Sequence, residues 1–163
     1  MNSIKKVGLG GGCHWCTESV FLHLKGVQEV EQGWISSSAP NDEYSEAVIV
    51  HFDSDQITLK TLIAIHLRTH SCTSKHPMRN KYRSAVYSYN EIQTRLAISI
   101  INDLQSEFDC KIITEILPSV SFKKNIEKYR NYYEKNSQNQ FCKRYIDPKL
   151  TLLMEEYGEY VGR

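Results

Sequence analysis

The chain reads as an α+β protein, a ferredoxin-like two-layer sandwich (split βαβ) with additional C-terminal helices, and three observations predict it. Strand-like and helix-like segments follow the order β-α-β-β-α-β, the split βαβ pattern. The second and third strands are separated by a compact turn-rich loop, Ser36-Ser37-Ser38-Ala39-Pro40-Asn41-Asp42, so they can pair antiparallel. Finally, 163 residues without an internal repeat, linker or low-complexity tract suit a single domain that buries its own core.

Residues 4–9 lean apolar and predict a short strand; Gly10, Gly11 and Gly12 then turn the backbone into an amphipathic helix running to Leu24 and ended by Gly26. Residues 27–35 carry the β-branched content of a strand, and residues 46–52 alternate into the next. Thr58 is a natural N-cap for a helix whose apolar positions are Leu59, Leu62, Ile63, His66, Leu67 and His70. Residues 71–81 are polar and predict an exposed loop, residues 82–89 a strand, and Asn90 caps a helix with the stripe Ile92, Leu96, Ile100, Ile101 and Leu104. Residues 111–117 predict a last strand stopped by Pro118, and residues 125–135 a tyrosine-rich helix. Asp147-Pro148 starts the final helix, because proline is tolerated at the first helical position; Leu150, Leu153, Met154, Tyr157 and Val161 lie along its apolar side.

Composition narrows the functional classes. A formal net charge of +1 gives no electrostatic case for nucleic acid or a membrane surface, and no run of ~18 apolar residues predicts a membrane span. Five cysteines, an odd number, at positions 13, 16, 72, 110 and 142 are unlike a secreted disulfide framework, so a cytoplasmic protein with reduced thiols is expected.

The chemistry concentrates in Gly12-Cys13-His14-Trp15-Cys16-Thr17-Glu18. Cys13 falls at a helix N-terminus, where free N–H groups and the positive end of the helix dipole favour a thiolate. The C-x-x-C spacing of Cys13 and Cys16 fits a dithiol redox pair, half of a zinc site, or a nucleophile with an incidental neighbour; an inert buried cysteine is the plain alternative. Cys72 with His70 or His76 does not complete a standard zinc spacing, so no metal is expected. Glu18 is either an acid favoured by the helix dipole or a proton donor, and Trp15, Trp34 and Tyr82 are either core aromatics or pocket residues.

Together these residues resemble the peptide methionine sulfoxide reductase A family. Its G-C-F-W-x-x-E is matched by residues 12–18 with His14 in the phenylalanine place, and its Y-R-S-x-x-Y by residues 82–87. The strand Glu46 to Asp53 is similar to A-E-V-V-x-V-x-Y-D, residues 127–133 to E-x-Y-x-x-x-Y, and residues 139–150 to the C-terminal region where many members keep a recycling cysteine. Gly33-Trp34 stands where the family commonly has a glycine and tyrosine, Pro77 takes the place of an aspartate ahead of Y-R-S, and two loops are shorter than usual.

The resemblance implies reduction of methionine-S-sulfoxide, free or in proteins, without metal or organic cofactor. Cys13 would attack the sulfoxide sulfur, Glu18 would protonate its oxygen, and Tyr82 would donate a hydrogen bond to the same oxygen. Trp15, with His14 and Trp34, would bind the substrate. The Cys13 sulfenic acid would condense with Cys142, which stands nearer the common family position, or with Cys16, and thioredoxin or another dithiol would reduce the disulfide. The competing readings are a general dithiol oxidoreductase using Cys13 and Cys16, and a non-catalytic sulfoxide-binding domain.

Overall fold

A computed structural model describes residues 3–75 and 77–162. Strands β1 (Ile4–Gly10), β2 (Val27–Ser36), β3 (Ser45–Asp53) and β4 (Ala85–Ser88) form an antiparallel centre in the spatial order β4-β1-β3-β2, as split βαβ topology requires. Two short strands extend it: β5 (Glu115–Pro118) joins β4 in parallel, and β6 (Ser121–Lys124) joins β2 antiparallel, giving one mixed sheet of six strands.

Side chains alternate across the pleat and split the interior in two. Val7, Leu9, Val48, Val50, Phe52 and Val86 face helices α1 (His14–Leu22), α2 (Leu59–Arg68) and α3 (Glu91–Leu104), meeting Val20, Phe21, Leu62, Ile63, Ala97 and Ile100 in the main core. Each fully buried large side chain there contributes roughly 1.5–3 kcal/mol. The intervening positions Ile35, Ala47, Ala85 and Tyr87 make a smaller cluster with Leu117 and Phe122 on the other face. At φ 86° Gly26 adopts a left-handed conformation that turns the chain from α1 into β2. Thr58 accepts the Thr61 N–H at 3.1 Å and Asn90 the Gln93 N–H at 2.8 Å, so both predicted N-caps form.

Several boundaries differ from the sequence reading, each for a tertiary reason. Helix α3 buries Gln93, Ala97, Ile100 and Leu104, while Ile92 and Leu96 of the expected stripe are exposed. Gln93 sets that rotation: its side chain accepts from the Tyr89 N–H and donates to the Lys6 carbonyl, both at 2.9 Å. Strand β4 begins only at Ala85 because the Tyr82 and Arg83 N–H groups bond Met78 O and Ser45 Oγ instead of a neighbouring strand. The strand expected over 111–117 shortens to β5, since the Ile112 and Ile113 amides bond Gln105 and Cys72.

β6 was not expected; it is a short, lysine-ended edge strand, a form that discourages pairing with another chain. The helix expected over 125–135 is broken at Asn131 (φ 56°) into a 3-10 turn, Glu127–Tyr129, and α4 (Tyr132–Asn136). Helix α5 (Asp147–Tyr157) starts at Asp147-Pro148 as read, after a π-turn at Cys142–Ile146, and Leu153 is its buried anchor. Among the described residues no helix is long and apolar enough to cross a membrane.

Candidate active site

The site is built where β1 ends. Cys13 is the N-cap of α1 with extended dihedrals (φ −60°, ψ 127°), and its carbonyl accepts the Cys16 and Thr17 N–H groups at 3.0 and 3.2 Å. Its half-buried thiol sits over the opening N–H groups of the helix. A hydrogen bond from the Cys16 thiol, helped by the Trp15 and Cys16 backbone N–H groups, holds Cys13 below the usual thiol range, against burial and the nearby Glu46 charge. The same hydrogen bond and burial push Cys16 strongly up, so Cys16 keeps its proton and donates it. The extended N-cap is what lets a thiol three residues along the helix reach Cys13.

Glu46, at the start of β3, carries no role in the sequence reading yet stands at the centre of this site. Its Oε1 accepts the His14 backbone N–H at 3.1 Å, one residue from Cys13, and lies 3.4 Å from His14 Nε2. Its Oε2 lies 3.5 Å from Lys81 Nζ. Lys81 leads on to Tyr82: the ammonium sits 5.1 Å from the Tyr82 ring centroid, and hydrogen bonding to that tyrosine is the first cause raising the lysine pKa. Trp34 faces Glu46 across the β2–β3 ladder, and its ring meets His14 edge-on at 5.0 Å. Cys13, His14, Trp34 and Glu46 are thus gathered around one helix start, and Lys81 connects Tyr82 to them. An acidic residue opening an otherwise apolar strand is the signal by which Glu46 could have been found.

Glu18 is placed differently. It is 3 % exposed and faces the turn before α4: Oε2 accepts the Asn131 N–H at 2.8 Å, and Oε1 accepts the Tyr132 N–H at 3.1 Å and Gln32 Nε2 at 2.9 Å. Burial raises its pKa against those three bonds. It lines a cavity of about 550 Å³ with Ser19, His23, Arg130 and Asn131, and Cys13 is not among the lining residues. Five residues along a helix is about 140° past the starting direction, which explains the divergence.

Trp15 stacks on Tyr132 at 4.0 Å between centroids and on Tyr129 at 5.6 Å, with Phe141 edge-on at 5.3 Å. Its indole N–H has no hydrogen-bond partner among the described residues. Cys142 is fully buried at the start of the π-turn and packs with Cys16 and Ile146 against Cys13 and Leu150. Cys142 is therefore held inside the site. Lys149, whose ammonium donates to the Thr69 carbonyl, is half-buried near Cys16 and Cys13, and desolvation holds it below its usual pKa.

The segment over 71–81 is exposed at most of its described residues, as expected, and it is anchored by Arg79. Arg79 donates to Gly11 O at 2.8 Å, Tyr82 O at 2.9 Å, Ser74 O at 2.9 Å and Ser71 O at 2.5 Å, joining the glycine turn to the Tyr82 segment; Cys72 beneath is buried. Gly11 is required by close approach, since a Cβ there would come within 2.7 Å of His70 Nε2. His76, weighed as a loose zinc ligand, lies outside the described residues, among which no group of three or more metal-ligating side chains converges.

A low-pKa thiol at a helix start, two further thiols packed beside it and a buried carboxylate on the same helix end define a thiol-based redox centre on a ferredoxin-like sheet. The family model described as "Peptide methionine sulfoxide reductase" matches residues 5–160, and the chain belongs to that family. It is 35% identical to the peptide methionine sulfoxide reductase MsrA of Deinococcus radiodurans, over 91% of this chain and 80% of that protein. It is 31% identical to the MsrA of Sulfolobus acidocaldarius, over 93% and 94%. Among solved structures, reduced Mxr1 from Saccharomyces cerevisiae superposes with a TM-score of 0.75 at 22% identity, covering 86% of this chain and 90% of that one. The methionine sulfoxide reductase A of Corynebacterium diphtheriae gives 0.72 at 23%, covering 85% and 78%; both likenesses concern the fold.

Proposed function

We propose that the protein reduces the S epimer of methionine sulfoxide, free or in oxidised proteins, to methionine. The observation that carries this reading is the meeting at one helix start of the lowered Cys13 thiol with the Glu46 carboxylate, in a chain of the methionine sulfoxide reductase family. Cys13 thiolate attacks the sulfoxide sulfur. The oxygen leaves only once protonated, and Glu46 takes over from Glu18 as the proton donor, because Glu46 touches the residue next to Cys13 while Glu18 is committed to the Asn131–Tyr132 backbone. Tyr82, linked to Glu46 through Lys81, donates a second hydrogen bond to the oxygen. Trp15 and the aromatic rings around it, with Trp34, receive the apolar part of the substrate.

Methionine departs and leaves Cys13 as a sulfenic acid, which condenses with a second thiol to a disulfide and water. Cys142 is the thiol we assign to that step: burial raises its pKa, but Cys16 is pinned further by its hydrogen bond to Cys13. A dithiol protein such as thioredoxin then exchanges with the disulfide. Five unpaired cysteines support a reducing, cytoplasmic setting. Incubation with each pure sulfoxide epimer and dithiothreitol tests the reading: methionine forms from the S epimer and not from the R epimer. Failure to turn over the S epimer contradicts it, and insulin reduction without sulfoxide turnover would favour a general dithiol oxidoreductase.

A further inference from the structure

His14 is buried, with Nδ1 hydrogen-bonded and Nε2 turned to a carboxylate. Nδ1 lies 2.6 Å from the Gly33 carbonyl oxygen, an atom that only accepts, so Nδ1 carries hydrogen. Nε2 then faces Glu46 Oε1 at 3.4 Å. With no proton between them, an imidazole lone pair confronts a buried carboxylate; with one proton the same geometry is an ion pair or its neutral equivalent. We infer that His14 and Glu46 hold one proton between them, accepted from the Cys13 thiol as the thiolate forms and delivered through Glu46 to the sulfoxide oxygen.

This rests on the reductase reading above and adds a positioning residue to it. The charged groups that act on the imidazole are Glu46 from β3 and Lys81 from the segment before β4; β2 contributes the Gly33 carbonyl and the Trp34 ring, and the Cys13 thiol at the head of α1 feels the same Glu46 charge. Burial, with Lys81, holds His14 below the usual imidazole range, against Glu46 and the Gly33 bond, which raise it. Protons and electrons balance without a further reactant. The thiol proton moves to the pair and the Cys13 thiolate bonds to the substrate sulfur. The sulfoxide oxygen takes the proton, the sulfur–sulfur bond breaks, and the hydroxyl ends on Cys13. The Cys13 sulfur is oxidised by two electrons, the substrate sulfur is reduced by two, and no net proton enters or leaves. A second basic atom on the same proton extends the pH range over which the pair stays loaded, because the macroscopic constant sums both sites.

The test is a 15N side-chain titration of the reduced protein, with the His14 signals assigned by their loss in His14→Gln. Nδ1 remains protonated at every pH, Nε2 titrates, and Glu46→Gln, which keeps an oxygen for the His14 amide, lowers the Nε2 midpoint by at least one pH unit. A neutral Nε2–H tautomer, or a midpoint unmoved by Glu46→Gln, overturns the inference. In turnover, His14→Gln moves the basic limb of kcat/KM to lower pH and lowers kcat with KM little changed; an unmoved limb also overturns it. Absence of S-sulfoxide turnover in the wild type would defeat the reductase reading alone, since the titration still decides whether the proton is shared.

Discussion

Glu46 Oε1 lies 3.1 Å from the backbone nitrogen of His14, so the first N–H of α1 is capped by a carboxylate arriving from β3, because Cys13, the N-cap itself, provides no side-chain cap. That one contact puts an acid beside the nucleophile and charges the site. Glu46→Gln keeps the acceptor and removes the proton, so steady-state turnover of the S-sulfoxide should fall about a hundredfold or more. The Glu46 charge raises the Cys13 pKa, so iodoacetamide alkylation of Cys13 at neutral pH should become faster in the same variant.

Glu18→Gln separates the two acids. It turns an acceptor of three hydrogen bonds into a group that must point an N–H at backbone donors, a loss of about 1–3 kcal/mol measured by denaturant unfolding. Activity per folded molecule should stay near wild type. Burial raises the folded-state pKa of Glu18, so its contribution to stability is present below the usual glutamate pKa and is lost as pH rises through the raised folded value. In Glu18→Gln that part of the pH slope of stability disappears.

The Cys16 thiol is the first cause lowering the Cys13 pKa. Cys16→Ala should therefore raise it, slowing Cys13 alkylation at neutral pH while leaving a Cys13–Cys142 disulfide to form after turnover. In Cys142→Ser the sulfenic acid at Cys13 should persist long enough to be trapped by dimedone and read by mass spectrometry.

Arg79 ties four carbonyls together, including Gly11 O ahead of the nucleophile and Tyr82 O. Arg79→Ala should cost about 2–3 kcal/mol in unfolding free energy. It should also raise KM, because Tyr82 and the glycine turn lose their shared anchor.

Cys13 at a helix start was legible because every cue is local: an apolar strand, three glycines and an amphipathic run. The caps at Thr58 and Asn90 and the start at Asp147-Pro148 were legible for the same reason. Glu46 was not, since its meeting with His14 depends on β3 lying between β1 and β2, a contact across thirty-two residues. Glu18 illustrates the opposite failure. The family resemblance made it the proton donor to the sulfoxide that Cys13 attacks, whereas the helix turns it toward Gln32 and the Asn131–Tyr132 amides. Those same amides, drawn to Glu18, break the helix that the tyrosine spacing over 125–135 had suggested.

A single turnover without reductant reads the chemistry of Cys13 itself. The reduced protein, mixed with excess S-sulfoxide, should release one methionine per chain, lose two of its five thiols, and carry one disulfide that includes Cys13. Methionine release with all five thiols retained, or thiol loss that spares Cys13, would contradict the account.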